Sequence, residues 1–197
     1  MKNVLFLLFL ALCGIQLFIP AQMAWSAKDV LTSGEIFKFK TIPVDPNDPF
    51  RGKYVTLRFE EARYTFDTLQ WQEWQSYDTF YAYLYKDAQD FARISELSPS
   101  IPIDETPYFI VKKGYTTQYK DSVSVRLDFP FDRFFMEESK APAAERIFRD
   151  ASRDAQEQTY ATVRIKNGDA VLEDVMVNEV SLRELAEEEV RNEVSKN

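Results

Sequence analysis

The sequence predicts a mainly β protein with a minor α+β component. The expected form is a compact antiparallel barrel or sandwich of about eight strands with one packed helix, preceded by one N-terminal transmembrane helix. Three observations carry this reading. Aromatic residues make up 15% of the 197-residue chain, with 16 Phe and 10 Tyr, and aromatics are enriched in strands. Several segments alternate with period two, most plainly Phe80, Ala82 and Leu84 against Tyr81, Tyr83 and Tyr85. Finally, residues 4–19 form an apolar run interrupted only by Gly14 and Gln16.

As a helix, 4–19 covers about 24 Å, short of a hydrocarbon core of about 30 Å. Extended through Pro20 to Trp25 it reaches about 33 Å, with the indole at the interface. Lys2 and the terminal amine favour a cytoplasmic N-terminus. Two other readings stand beside the anchor. Ala24-Trp25-Ser26 offers small residues for signal-peptide cleavage, and Cys13 offers a lipidation site, although Leu12 stands where a small residue is expected. All three readings put the folded part outside the cytoplasm. The expected location is the inner membrane, single-pass, with the domain facing the periplasm. The expected organisation is an anchor at 1–26, a connector at 27–34, a β domain at 35–180 and a charged helical tail at 181–197.

Beyond the anchor, 35–42 reads as a strand in which Phe37 and Phe39 alternate with Lys38 and Lys40. A stiff corner follows, because Pro43, Pro46 and Pro49 fix φ and restrict the residues before them. Asp45, Asn47 and Asp48 can fold back on the local backbone, and Gly52 frees one position. Strand two is expected at 54–66, with Val55, Leu57 and Phe59 on one face and Tyr54, Thr56, Arg58 and Glu60 on the other. Residues 67–78 break the pattern and hold Trp71 and Trp74. Further strands are expected at 79–86, 91–98, 108–113 and 122–129, with a turn at Gly114. The helix at 141–156 rests on Ala144, Ile147, Phe148, Ala151 and Ala155 at helical spacing, with Pro142 in its first turn. Asn167-Gly168 joins strands at 160–166 and 170–177 as a tight hairpin. Ser181-Leu182-Arg183-Glu184 is a capping box opening the tail helix.

Composition narrows the function. A net charge of −8 argues against a nucleic-acid partner, whose affinity comes largely from Lys and Arg on phosphates. Histidine is absent, which removes Ser-His-Asp and Cys-His nucleophile systems and His-ligated metals. Five glycines form no phosphate loop, and no cofactor is expected. The single cysteine lies in the apolar run, so the exported part has no disulfide and depends on its core.

The candidate binding residues are Asp45, Asp48, Phe50, Arg51, Gly52, Lys53 and Tyr54 in the corner. To these we add the pair Trp71 and Trp74 and the row Tyr81, Tyr83 and Tyr85. The aspartates have the oxygen chemistry for a hard cation, but Asx turns explain them without one. Arg51 and Lys53 could hold an anion; a solvated turn would use them equally. The indoles and the tyrosine row suit a binding groove or a second packing layer. Asp132 and Arg133 mark a second structural corner. No carboxylate pair stands out as catalytic, and no catalytic or metal-binding residue is assigned.

The segment Pro43-Val44-Asp45-Pro46 through Asp48-Pro49-Phe50-Arg51-Gly52-Lys53-Tyr54-Val55-Thr56-Leu57-Arg58-Phe59 resembles the signature of the GDYXXLXY family, bacterial membrane-anchored proteins of unknown function. The apolar helix upstream and Asp132-Arg133-Phe134-Phe135-Met136-Glu137-Glu138 downstream extend the resemblance to about Val177. Two positions depart from it: Lys53 stands for the family's Asp and Phe59 for its final Tyr. The resemblance implies a membrane-protein partner, and the departures favour a scaffold over an enzyme. The expected function is a membrane-anchored extracytoplasmic module that binds a neighbouring membrane protein or envelope component. The alternatives are an envelope hydrolase using a carboxylate pair or an ion-sensing module; the small-molecule ligand is unknown.

Overall fold

The computed structural model describes residues 2–43, 54–154 and 156–195, without the side chains at 2, 3, 5, 7, 8, 10 and 194. The proline corner at 44–53, with Asp45, Asp48, Phe50, Arg51, Gly52 and Lys53, lies outside the described residues.

Helix α1 runs Lys2–Ser33 with Pro20 inside it, so the expected connector at 27–34 is largely the helix's last turns. Among the described residues no helix is long and apolar enough to cross a membrane. Phe9, Leu12, Ile15, Phe18, Met23 and Trp25 are exposed on α1, whereas Val30 is buried against the domain. Three contacts fix this end. Lys166 Nζ lies 2.7 Å from Asp29 Oδ2 and 2.8 Å from Ser33 Oγ. The Gly34 N–H donates to Val30 O at 2.8 Å, turning the helix directly into a strand.

The described residues form a mainly antiparallel β fold with four helices, α1 included, and one of its sheets curls as a half-barrel. Its strands are β1 Glu35–Lys40, β2 Tyr54–Thr56, β3 Arg63–Asp67, β4 Thr79–Lys86, β5 Ala92–Ser98, β6 Tyr108–Gln118, β7 Ser122–Asp128, β8 Arg133–Phe135, β9 Thr159–Lys166, β10 Asp169–Val177 and β11 Val180–Ser181. The other helices are α2 Thr68–Trp74, α3 Ala141–Arg153 and α4 Leu182–Val194. The sheet orders are β1-β9-β10-β11, β2-β8 and β3-β7-β6-β4-β5. Parallel bridges Lys38–Phe91 and Phe109–Gly168 tie the four-stranded sheet to the five-stranded one.

Several expectations need correction. Among the described residues eleven strands stand in place of about eight, and α2 is added to the expected packed helix and tail helix. The strand expected at 54–66 is cut into β2 and β3 by a 3-10 turn at Glu60–Ala62. That turn is held by Arg93, whose guanidinium reaches Glu60 at 3.0 Å, Glu61 at 2.8 Å and Asp87 at 3.0 Å. α2 fills the segment where the strand pattern breaks: Asp67 caps it by accepting the Gln70 N–H at 2.7 Å. Gly114 makes no turn. β6 runs through it to Gln118 with a register shift between Lys113 and Thr116. A Cβ at Gly114 would come within 2.9 Å of Arg126 O, so the glycine permits close strand approach at an irregularity. α3 stops at Arg153, three residues before the expected end.

Other features follow their local chemistry. Asn167 and Gly168 both take positive φ, 52° and 89°, as a tight β9–β10 turn requires. Val55, Leu57 and Phe59 are buried, while Tyr54, Thr56 and Arg58 face outward. Ser181 caps α4 by accepting the Arg183 N–H, and Leu182 and Ala186 bury this helix in the core beside α3. At the centre Phe39, Phe59, Phe109, Phe129 and Phe131 pack with ring centroids 5.0–6.0 Å apart.

The Arg93 cluster gives a first testable consequence. Its side chain is 24% exposed and bridges the 3-10 turn to the β4–β5 turn. Arg93→Ala leaves three carboxylates facing one another and is expected to cost about 1–3 kcal/mol, read from urea unfolding.

Candidate functional site

The exit of the proline corner and the second corner meet in the short β2–β8 ladder. Tyr54 pairs with Phe135, Val55 with Phe134 and Thr56 with Arg133. The Leu57 N–H donates to Asp132 O at 2.8 Å, extending the contact past the ladder. The Tyr54 ring lies 5.5 Å from that of Phe135, and the Arg133 guanidinium sits 5.2 Å above Tyr54. Asp132 is 3.8 Å from Arg133 on this exposed edge. The structure therefore brings Tyr54, Asp132 and Arg133 together.

The other candidates stand on different elements. Trp71 and Trp74 on α2 are half-buried against Phe66, and Trp74 also meets Phe80, closing the inner face of the five-stranded sheet. Lys113 covers this cap, with its ammonium 5.8 Å from the Trp71 ring and donating to Gln75 O at 2.6 Å. On β4, Tyr81 packs edge-on to Tyr108, and the Tyr83 hydroxyl donates to Ser100 O at 2.9 Å. Tyr85 is exposed.

Beside the joined corners lies a cleft of about 370 Å³ that sequence reasoning did not find. The outward row of the signature strand gives it Thr56 and Arg58; the starts of β3 and the end of β7 add Arg63, Arg126 and Asp128. Its floor is Leu57, Phe59, Leu127 and Phe129, all buried core residues. A second groove, of about 590 Å³, runs under Met23, Ala27 and Val30 of α1 and shares Asp128, Phe129 and Asp132 with the first.

Among the described residues no group of three or more His, Cys, Asp or Glu is placed to hold a metal ion. The carboxyl groups that the fold shifts are shifted down. The Lys166 ammonium holds Asp29 below its ordinary 3.8 against the opposing effect of burial, with Ser33 assisting. The Phe91 N–H does the same for Asp87, again against burial, with Arg93 and the Gln89 N–H adding to it. Thr106 lowers Asp104. A lowered folded value means that the contribution is complete above the unfolded pKa and is lost as pH falls through the folded one. With no histidine, the urea midpoint is expected to stay level from about pH 7 to pH 5 and to fall below about pH 4.

The GDYXXLXY protein family model matches residues 16–175. The chain belongs to the GDYXXLXY family. No curated protein and no solved structure matches it. Within the family signature, Leu57 and the departing residue Phe59 point into the phenylalanine core, and Tyr54 packs outside against the second corner. Phe59 stacks on Phe129 with centroids 5.4 Å apart, so the aromatic at this position is a packing residue. The other departure, Lys53, lies outside the described residues.

Proposed function

We propose that this GDYXXLXY protein is a single-pass inner-membrane protein whose β domain faces the periplasm and binds a neighbouring membrane protein or envelope component. The observation that carries the proposal is α1. Its exposed apolar side chains, from Phe9 through Phe18 to Trp25, lie on all sides of the helix, as suits a helix surrounded by an apolar medium. Counted with the side chains at 5, 7, 8 and 10, which lie outside the described ones, the apolar sequence from Val4 to Trp25 has a helical length of about 33 Å. The last turns of the same helix are joined to β9 by the Asp29–Lys166 ion pair, so the domain follows directly on the proposed anchor. In this reading the joined corners around Tyr54 and Arg133 form the partner-facing edge.

The test is an affinity purification of the tagged full-length protein in mild detergent, beside Tyr54→Ala. One stoichiometric membrane protein retained by the parent and lost in the variant supports the proposal. Recovery of a shortened, water-soluble chain with no partner contradicts it.

A further inference from the structure

At one edge of the five-stranded sheet the fold sets like charges against each other. Arg63 on β3 is the direct cross-strand partner of Arg126 on β7, and same-sign pairs directly opposite weaken a sheet. Arg126 is partly compensated by Asp128 at 4.0 Å and by the Tyr115 ring, 5.7 Å from its guanidinium. Arg63 has no ion-pair partner among the described residues, and neither has Arg58. All three guanidinium-bearing residues line the 370 Å³ cleft. Two other carboxylates of that lining are already engaged, Glu60 by Arg93 at 3.0 Å and Asp132 by Arg133 at 3.8 Å. In a chain of net charge −8, this leaves a local excess of positive charge beside an apolar floor.

We propose that the cleft binds an amphiphilic phosphate. The phosphate group lies between Arg58, Arg63 and Arg126, where it offsets the cross-strand repulsion, and the apolar body rests on Phe59 and Phe129. Guanidinium groups match the geometry of phosphate oxygens through paired N–H donors. The groove beneath Met23 and Val30 shares Phe129 with the cleft and gives a longer apolar tail a path toward α1. The site itself does not depend on which side of a membrane the domain occupies.

The test titrates the full-length protein in dodecyl maltoside with three probes: hexyl phosphate, dihexanoyl phosphatidylglycerol and dihexanoyl phosphatidylcholine. Calorimetry is run on the parent, Arg58→Gln/Arg63→Gln and the charge-retaining Arg58→Lys/Arg63→Lys. The proposal predicts that at least one anionic probe binds, at least tenfold weaker to the Gln pair, with partial recovery in the Lys pair. The zwitterionic lipid binds no better to the parent than to the Gln pair. Tighter binding of the phosphatidylglycerol identifies a lipid headgroup as the source, and tighter binding of hexyl phosphate identifies a soluble phosphate ester. Arg58 and Arg63 are exposed, so both variants are expected to fold, with unchanged circular dichroism. Equal binding by parent and Gln pair, or no binding of either anionic probe, overturns the proposal.

Discussion

Phe39→Ala is expected to lower stability by about 3–5 kcal/mol, the largest effect of any single truncation in the domain. Phe39 has no solvent exposure, and its ring meets four others: Phe59 at 6.0 Å, Phe109 at 5.7 Å, Phe129 at 5.9 Å and Phe131 at 5.2 Å. These residues come from the signature segment, β6 and the second corner, so the cavity opens where three parts of the chain join. The aromatic pairs add edge-to-face attraction to the buried area. No neighbouring element can close the gap alone, because each is held in its own ladder or corner. The measurement is the urea midpoint of the variant beside the parent. A loss below about 1 kcal/mol would mean that the cluster relaxes freely.

Gly34→Ala is expected to cost about 2–3 kcal/mol and to loosen α1 from the domain. A Cβ at this position would stand 2.5 Å from Val30 O, 3.1 Å from Ile165 O and 3.2 Å from Ile165 N. All three are backbone atoms, so no side-chain rotation relieves the clash. The Val30 carbonyl is also fixed by the Gly34 N–H at 2.8 Å. The strain is relieved only if the helix end moves away from β9, which stretches the Lys166–Asp29 pair. Limited trypsin digestion reads this directly: cleavage after Lys28 is expected to be faster in the variant. An unchanged digestion rate with unchanged stability would show that the junction yields without cost.

Much of the architecture was legible because it rests on local chemistry. The alternation of Phe80, Ala82 and Leu84 with tyrosines marks a strand with one buried face, and Asn167-Gly168 fits a turn needing two positive φ values. α2 was missed although its cap Asp67 was in view, because seven residues hold too few turns to establish a helical period. Gly114 was misread for a general reason: a glycine in a strand pattern marks a turn or a close approach with the same letter. The cleft was not legible at all. Arg63 and Arg126 are 63 positions apart in sequence, and only the β3–β7 register makes them neighbours. That register is set by long-range pairing, which periodicity within each strand does not encode.

The central claim, an anchored domain on the extracytoplasmic side, is tested most directly by cysteine accessibility in the full-length protein. Cys13→Ser removes the single native thiol, and Tyr119→Cys places a new one at the exposed tip of the β6–β7 hairpin. Spheroplasts are treated with a membrane-impermeant maleimide and their membranes are then washed with alkaline carbonate. The account predicts labelling before lysis, on a full-length chain that stays in the membrane pellet. Labelling only after lysis, or a labelled chain released by the wash, would contradict it.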